Sequence, residues 1–275
     1  MHRWIGVALT GLAAACSAEH APTRAVLPSA SVELARSSSS AEAPPSASAA
    51  PSEAPVAAPP PEPAPAVVEQ IPIEGDQPAS FVRAPDGSAP KVVFLAGICT
   101  IGYAYLMAFP EAARAHGGAL TLEGDQPCPG YPDYRSFSSD ADKQEKRIEA
   151  ALTALVGGDV ALPAGGFTLV GYSRGATIAE RLSHKWPDRY PRVVLIGSPS
   201  EPNAELLSKA RAVATMSCSK DVPWRMKGAL TSLRYRKIPA EYFEMPDCTH
   251  GQVTEGDRVF GEAFTWLEEH QKMPE

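Results

Sequence analysis

The segment FTLVGYSRGATIAERLSHKW, residues 167–186, contains the strongest indication of the fold. Its first residues, 167–170, form an apolar run typical of a buried strand, and residues 177–186 have the composition of a helix. Between them lies the pentapeptide GYSRG, residues 171–175, whose glycines let the backbone turn sharply while the hydroxyl of Ser173 stays clear of the sheet. A capping serine in an ordinary tight turn is the alternative. The pattern favours a nucleophile at Ser173.

Strands and helices alternate on both sides of this segment. The predicted strands are residues 91–96, 119–122, 192–196, 212–216 and 242–245, and the predicted helices are residues 103–116, 139–156, 177–186, 201–209 and a last one after residue 254. Such alternation is typical of an α/β protein with a mostly parallel, doubly wound sheet flanked by helices. Residues 67–73 and 79–82 are candidates for edge strands.

A serine nucleophile needs a base and an acid that orients the base, and both are expected after later strands. Of the six histidines, His250 directly follows the last predicted strand and precedes the last helix. Asp221 follows the strand at residues 212–216 and is the candidate acid. Asp247 and Asp257 are the alternatives, although Asp247 lies only three residues from His250 and would have to fold back on the same loop.

The loop after the strand at residues 91–96 is expected to complete an oxyanion hole. It reads Ala-Gly-Ile at residues 96–98, so Gly97 lies where a backbone must come close to a substrate. We expect the two donors to be the N–H of Ile98 and the N–H of Arg174, which begins the helix after the serine. A turn glycine with no part in the chemistry is the alternative interpretation of Gly97.

The pentapeptide at residues 171–175, Asp221 and His250 in this order resemble the α/β-hydrolase superfamily over residues 91–271. The resemblance implies acyl transfer to Ser173, followed by hydrolysis with water that His250 activates. The chain is thus identified as a serine hydrolase acting on carboxylic esters or related acyl bonds of a small molecule or an exposed polymer, and we expect no cofactor. A peptidase or acyltransferase on the same fold and a non-catalytic envelope-binding lipoprotein are the alternatives.

Two features depart from many members of the superfamily. The oxyanion loop lacks the His-Gly-Gly-Gly of many lipases and esterases, so a lipase assignment gains no support. Only about 15 residues separate the strands at residues 192–196 and 212–216, which are too few for an inserted lid domain. We therefore expect an open site without a lid.

Four cysteines follow Cys16, and four cysteines allow three pairings. If Asp221 and His250 are partners, their loops lie side by side and bring Cys218 and Cys248 within bridging range. We therefore predict a disulfide between Cys218 and Cys248, together with one that joins residues Cys99 and Cys128. Four reduced thiols are the alternative. A zinc site is less favoured, because no Cys-x-x-Cys spacing occurs and we expect no metal.

The beginning of the chain has the composition of an exported leader and a tether. Residues 1–15 combine a basic start, an apolar run and small residues, as in a signal peptide, and with Cys16 they resemble the lipobox of bacterial lipoproteins. Ala13 stands where the commonest lipobox has leucine, and an ordinary cleavable signal is the alternative. Residues 16–70 are rich in Ala, Pro and Ser and predict a disordered tether before the hydrolase domain, residues 71–275.

The net charge and the predicted signal peptide indicate where the protein is located and which partners it can have. The net charge of −7 argues against a nucleic-acid partner, because such a partner needs a basic surface. A lipid on Cys16 would anchor an exported protein to a membrane of the cell envelope, and the tether would hold the domain off that membrane.

Overall fold

The computed structural model describes residues 64–272 of the chain. The predicted signal peptide at residues 1–15, Cys16 and nearly all of the predicted tether lie outside the described residues. Among residues 64–272, no helix combines the length and the apolar character that crossing a membrane requires.

The centre of the fold is a sheet of eight strands. In chain order the strands of the described residues are β1 (Val68–Ile71), β2 (Ala79–Val82), β3 (Val92–Leu95), β4 (Ala119–Leu122), β5 (Gln126–Cys128), β6 (Tyr131–Ser136), β7 (Thr168–Tyr172), β8 (Arg192–Ile196), β9 (Ala212–Cys218) and β10 (Ala240–Met245). The sheet has the order β1-β2-β4-β3-β7-β8-β9-β10, while β5 and β6 form a separate hairpin. Neighbours from β4 to β10 run parallel, whereas β1, β2 and β4 pair antiparallel. The predicted mostly parallel α/β sheet is confirmed.

Helices flank this sheet. Those of the described residues are α1 (Gly102–Leu106), α2 (Pro110–Ala115), α3 (Ala141–Val156), α4 (Arg174–Lys185), α5 (Pro223–Tyr235) and α6 (Gly256–His270). The ring of Phe109, just before α2, stacks on Phe260 of α6 with 4.0 Å between the centroids. Strands β3, β7, β8 and β9 are buried along their whole length, which explains their continuous apolar sequence.

Four features of the connections differ from the prediction. The helix predicted at residues 103–116 is divided into α1 and α2, because Pro110 lacks a donor N–H and starts a new helix instead. The helix predicted at residues 201–209 is wrong, since the chain there forms turns. The N–H groups of Ser208 and Ala210 donate to carbonyls only three residues earlier, which closes turns instead of continuing an α-helix. Neither α5 nor the β5–β6 hairpin is predicted by the apolar pattern.

The limits of the folded part also need one correction. β1 begins at Val68 and pairs with β2, so the boundary predicted between residues 70 and 71 falls inside a strand. Residues 197–211, which connect β8 to β9, contain only turns and irregular chain. The described residues therefore include no lid at this position, as predicted.

Candidate active site

The structure places Ser173 between β7 and α4 in a strained conformation. Its backbone has φ 51° and ψ −113°, which residues other than glycine rarely adopt. A Cβ atom at Gly171 would overlap the backbone of Ala176, and one at Gly175 would overlap the carbonyl group of Leu95. Both flanking positions therefore require glycine, and the sharp turn presents the serine hydroxyl at the carboxyl edge of the sheet.

The structure brings Ser173, His250 and Asp221 together. The Nε2 atom of His250 lies 3.0 Å from the Oγ atom of Ser173, and its Nδ1 atom lies 2.7 Å from the Oδ2 atom of Asp221. The Asp221 side chain is 9% exposed and the His250 side chain 47% exposed. A shielded carboxylate thus contacts one side of an imidazole whose other nitrogen contacts the serine.

Neither alternative acid takes part in this chain of contacts. Asp247 is 89% exposed and pairs with Lys220 at 3.1 Å. Asp257 accepts the N–H of Ala112 at 2.8 Å, which ties α6 to α2. Of the three carboxylates considered from the sequence, Asp221 is the one that contacts His250.

Two buried tyrosines hold the loop that carries His250. The hydroxyl of Tyr172 accepts the N–H of Gly251 at 2.7 Å, and the hydroxyl of Tyr105 donates to the carbonyl of Gly251 at 3.2 Å. Burial raises the pKa of both phenols above the ordinary value, so both hydroxyls keep their protons. The sequence analysis missed this function of Tyr172 and Tyr105, because it depends on a loop about 80 and 150 residues further along the chain.

Gly197, at the carboxyl end of β8, is a second feature that the sequence analysis missed. It has φ 51°, and a Cβ atom there would lie 2.9 Å from the Oδ2 atom of Asp221 and 3.2 Å from the Nδ1 atom of His250. Any side chain at this position would be forced against the atoms that join the Asp221 carboxylate to the His250 imidazole. The sequence feature that could have indicated it is a glycine directly after the strand predicted at residues 192–196.

The two predicted oxyanion donors are free. A Cβ atom at Gly97 would lie 3.4 Å from the Cβ atom of Ser173, so this loop passes directly beside the serine. Within residues 64–272, neither the N–H of Ile98 nor that of Arg174 has a hydrogen-bond acceptor. The N–H of Arg174 is in the first position of α4, where no intrahelical partner exists. Both groups are available to a negatively charged oxygen.

Two disulfides cross-link the loops around the site, and both have the predicted pairing. Cys218–Cys248 joins the end of β9 to the loop that carries His250, with 5.0 Å between the Cα atoms. Cys99–Cys128 joins the loop after Ile98 to β5, with 5.6 Å between the Cα atoms. Every loop that contributes a side chain or a donor to the site, except the turn at Ser173 itself, is therefore covalently tied to a neighbour.

A pocket of about 330 Å³ opens next to the loop that carries His250. It is lined by Thr100, Ile101, Ala104, Tyr105, Ala108, Tyr134, Gly251 and Val253. Tyr134 comes from the β5–β6 hairpin, and the first five residues come from the loop after β3 and from the region of α1. Among residues 64–272, no three His, Cys, Asp or Glu side chains are grouped so that they could hold a metal ion.

Comparison with known proteins places the fold. No family model and no curated protein matches the chain. It is similar to the structure of a predicted CIB-like hydrolase from Thermoplasma acidophilum, with 14% identity, a TM-score of 0.52, and coverage of 74% of this chain and 98% of the other. The structure of the esterase PE8 shares 19% identity and a TM-score of 0.52, with coverage of 69% of this chain and 97% of the other. The structure of FphF, a fluorophosphonate-binding serine hydrolase of Staphylococcus aureus, shares 11% identity and a TM-score of 0.53, with coverage of 74% of this chain and 99% of the other. The chain has an α/β-hydrolase fold, and at these identities the likeness extends to the fold alone.

Proposed function

We propose that the protein is a serine hydrolase that cleaves carboxylic esters or related acyl bonds. Ser173 is the nucleophile, His250 the general base and Asp221 the acid that orients the base. The observation that supports this most directly is the pair of contacts made by His250, 3.0 Å to the serine and 2.7 Å to the aspartate, on a serine held in a strained turn. The similar structures include an esterase and a serine hydrolase, which fits the same class of reaction.

In the first half-reaction the Oγ atom of Ser173 attacks the carbonyl carbon of the substrate while the Nε2 atom of His250 accepts the serine proton. The N–H groups of Ile98 and Arg174 donate to the oxyanion that forms. As the tetrahedral intermediate collapses, His250 gives the proton to the leaving oxygen. The alcohol departs and the acyl group stays on Ser173.

In the second half-reaction a water molecule takes the place of the alcohol. His250 accepts a proton from this water while the water oxygen attacks the acyl carbon. His250 then gives the proton to the Oγ atom of Ser173 as the carboxylic acid leaves. Asp221 stabilises the transient imidazolium through the Nδ1 hydrogen. Because no lid covers the site in the described residues, a small ester or an exposed chain end of a polymer has access to it.

Labelling with a fluorophosphonate probe and hydrolysis of p-nitrophenyl esters test this function. The wild-type protein is expected to be labelled on Ser173 and to release p-nitrophenol, whereas Ser173→Ala loses both properties. Ser88→Ala, which changes an exposed serine outside the site, is the matched control and keeps both. Hydrolysis of p-nitroanilides but not of esters would contradict the ester assignment, and transfer to an added alcohol in preference to water would identify an acyltransferase.

We also propose that the protein is exported and anchored through a lipid on Cys16. The two disulfides support export, since such bonds persist in oxidising compartments. Expressed in a bacterium, the full chain is expected to incorporate labelled palmitate and to sediment with membranes. Cys16→Ser removes the label, and Ser17→Ala, the neighbouring control, keeps it. Labelling that persists in Cys16→Ser would refute the anchor.

A further inference from the structure

We propose that the pocket beside the site binds an uncharged, apolar acyl group of short or medium length, and that Ala104 and Tyr134 determine which lengths fit. This inference rests on the proposed function and names the substrate class for it. It concerns the pocket whose lining includes Thr100 and Ile101, after β3, and Gly251 and Val253, after β10.

The chemistry of the walls selects an apolar group. None of the lining side chains is charged. The hydroxyl of Thr100 already donates to the carbonyl of Gly97 at 2.9 Å, and the hydroxyl of Tyr105 donates to the carbonyl of Gly251 at 3.2 Å. A carboxylate or an ammonium group in this pocket would therefore lose its hydration without gaining a charged partner. Apolar surface that is removed from water there gains transfer free energy.

The position of the pocket fits the acyl part of the substrate. Thr100 lies two residues after Ile98, whose N–H is free to receive the carbonyl oxygen of the substrate, and Gly97 of the same loop passes beside Ser173. A chain attached to that carbonyl carbon would reach the pocket by passing Thr100, which lines it. The acyl group stays bound through both half-reactions, whereas the alcohol must leave towards water after the first.

The volume limits the length of the group. About 330 Å³ is close to the lower end, roughly 300 Å³, of the range for small-molecule sites. An acetyl group leaves most of the pocket empty, and a palmitoyl chain exceeds it.

Two lining side chains from different elements, Ala104 of α1 and Tyr134 of β6, are expected to set the length of this space. Ala104 belongs to α1, is exposed and presents only a methyl group, so a larger side chain there would occupy part of the pocket. Tyr134 belongs to β6 and is 42% exposed, so its removal would lengthen the pocket towards solvent. Substitutions at these two positions are expected to change the preferred chain length in opposite directions.

The test compares kcat/KM for p-nitrophenyl acetate, butyrate, hexanoate, octanoate and palmitate. The wild-type value is expected to rise by up to about fourfold for each added methylene as far as hexanoate or octanoate, and to fall for palmitate. Ala104→Phe lowers the ratio of hexanoate to acetate tenfold or more, whereas Tyr134→Ala moves the optimum to longer chains. Ala161→Phe is the matched control, an exposed alanine near the opposite edge of the sheet, and leaves the ratio unchanged.

Two results would overturn this proposal. One is a ratio that does not change in Ala104→Phe, and the other is selectivity that follows the alcohol when a series of acetate esters with alcohols of increasing length is used. In either case labelling of Ser173 by the fluorophosphonate probe would leave the proposed function intact. Binding of octanamide to Ser173→Ala, measured by calorimetry, tests the pocket without turnover, and binding that Ala104→Phe does not weaken also overturns the proposal.

Discussion

Each of the two disulfides joins the parts of one region beside Ser173, and the two regions differ in how deeply they are buried. The first, the Asp–His region, consists of the loops after β9 and β10, joined by Cys218–Cys248, and both cysteines are fully buried. The second, the hairpin region, consists of residues 97–101 with β5 and β6, joined by Cys99–Cys128. β6 is exposed over most of its length, and β5 pairs with β6 alone.

This difference concerns how firmly each region is held beside the serine. The Asp–His region extends two parallel strands of the central sheet, so its position is fixed by the core of the protein. A hairpin of two strands is marginally stable by itself, and here it depends on its disulfide and on the hydrogen bond from the N–H of Thr100 to the carbonyl of Arg135. We infer that proton transfer depends on the Asp–His region, whereas the hairpin region supplies the oxyanion donor at Ile98 and part of the lining of the acyl pocket.

The largest effect is expected within the Asp–His region. His250→Ala should lower kcat by roughly 10⁴–10⁶-fold, and Asp221→Asn by roughly 10⁴-fold, because the first removes the base and the second only misorients it. Ester hydrolysis at substrate saturation measures both values. Activity of Asp221→Asn equal to that of the wild type would mean that this contact does not orient the base.

The next prediction compares the loss of one disulfide with the loss of the other. Each closes a loop of similar length, so replacing either pair by alanines should lower the free energy of unfolding by roughly 3–4 kcal/mol. The effects on function should differ. Loss of Cys218–Cys248 should lower kcat for all esters alike, by up to about 100-fold for a displacement of about 1 Å. Loss of Cys99–Cys128, which lies next to Ile98, should lower kcat and in addition change the ratio between long and short acyl chains.

Urea denaturation and the ester series check this prediction on the same samples. Equal changes in kcat and in the acyl ratio for both double variants would contradict the division into two regions.

A smaller effect is expected at Gly197. Gly197→Ala should lower kcat by roughly 100-fold with little change in KM, because the added Cβ would press on the contact between Asp221 and His250. Gly158→Ala is the matched control, since a Cβ atom there has no neighbour within 4 Å. Steady-state kinetics separate kcat from KM. A rise in KM alone would show that the position acts on substrate binding instead.

The smallest effect concerns the base of the hairpin region, where Asp125 precedes β5. Its buried carboxylate accepts the N–H of Ser138 at 2.7 Å and pairs with Lys143 at 2.7 Å. Burial alone would raise the pKa of Asp125, but these contacts outweigh it and hold the pKa well below its ordinary value of 3.8. A lowered pKa means that the stabilisation is present at neutral pH and is lost as the pH falls below that ordinary value.

Asp125→Asn should therefore cost roughly 1–3 kcal/mol of unfolding free energy at neutral pH. The difference between wild type and variant should decrease as the pH is lowered through the acid range, as measured by thermal unfolding. A difference that stays constant with pH would show that the charge of Asp125 contributes nothing.

The sheet and the contacts of His250 could be predicted because they follow from short patterns. Strands β3, β7 and β8 are buried on both faces and so appear as apolar runs, and the carboxyl ends of parallel strands meet at one edge. Asp221 and His250 could be placed at that edge without any knowledge of their distance. The disulfide Cys218–Cys248 followed from the same placement.

The parts that could not be predicted depend on contacts between distant residues. α5 buries only Met226, Ala229 and Leu233, so its apolar pattern is weak. The hairpin is exposed and is stabilised by bonds to the loop after β3 rather than by an apolar face of its own. The function of Gly197 depends on two side chains that reach it from other loops. Neither composition nor periodicity reports such distances.

The order of the cysteines along the chain has a consequence for biogenesis. Each disulfide joins cysteines that are neighbours in sequence, 29 and 30 residues apart, whereas 90 residues separate Cys128 from Cys218. If the chain is translocated amino end first and the thiol of Cys16 carries the lipid, as proposed, the pair Cys99 and Cys128 emerges before the pair Cys218 and Cys248. An oxidase that joins cysteines in order of appearance then makes the native bonds. We therefore expect equal yields of oxidised protein in bacterial strains with and without a disulfide isomerase, as measured by non-reducing electrophoresis.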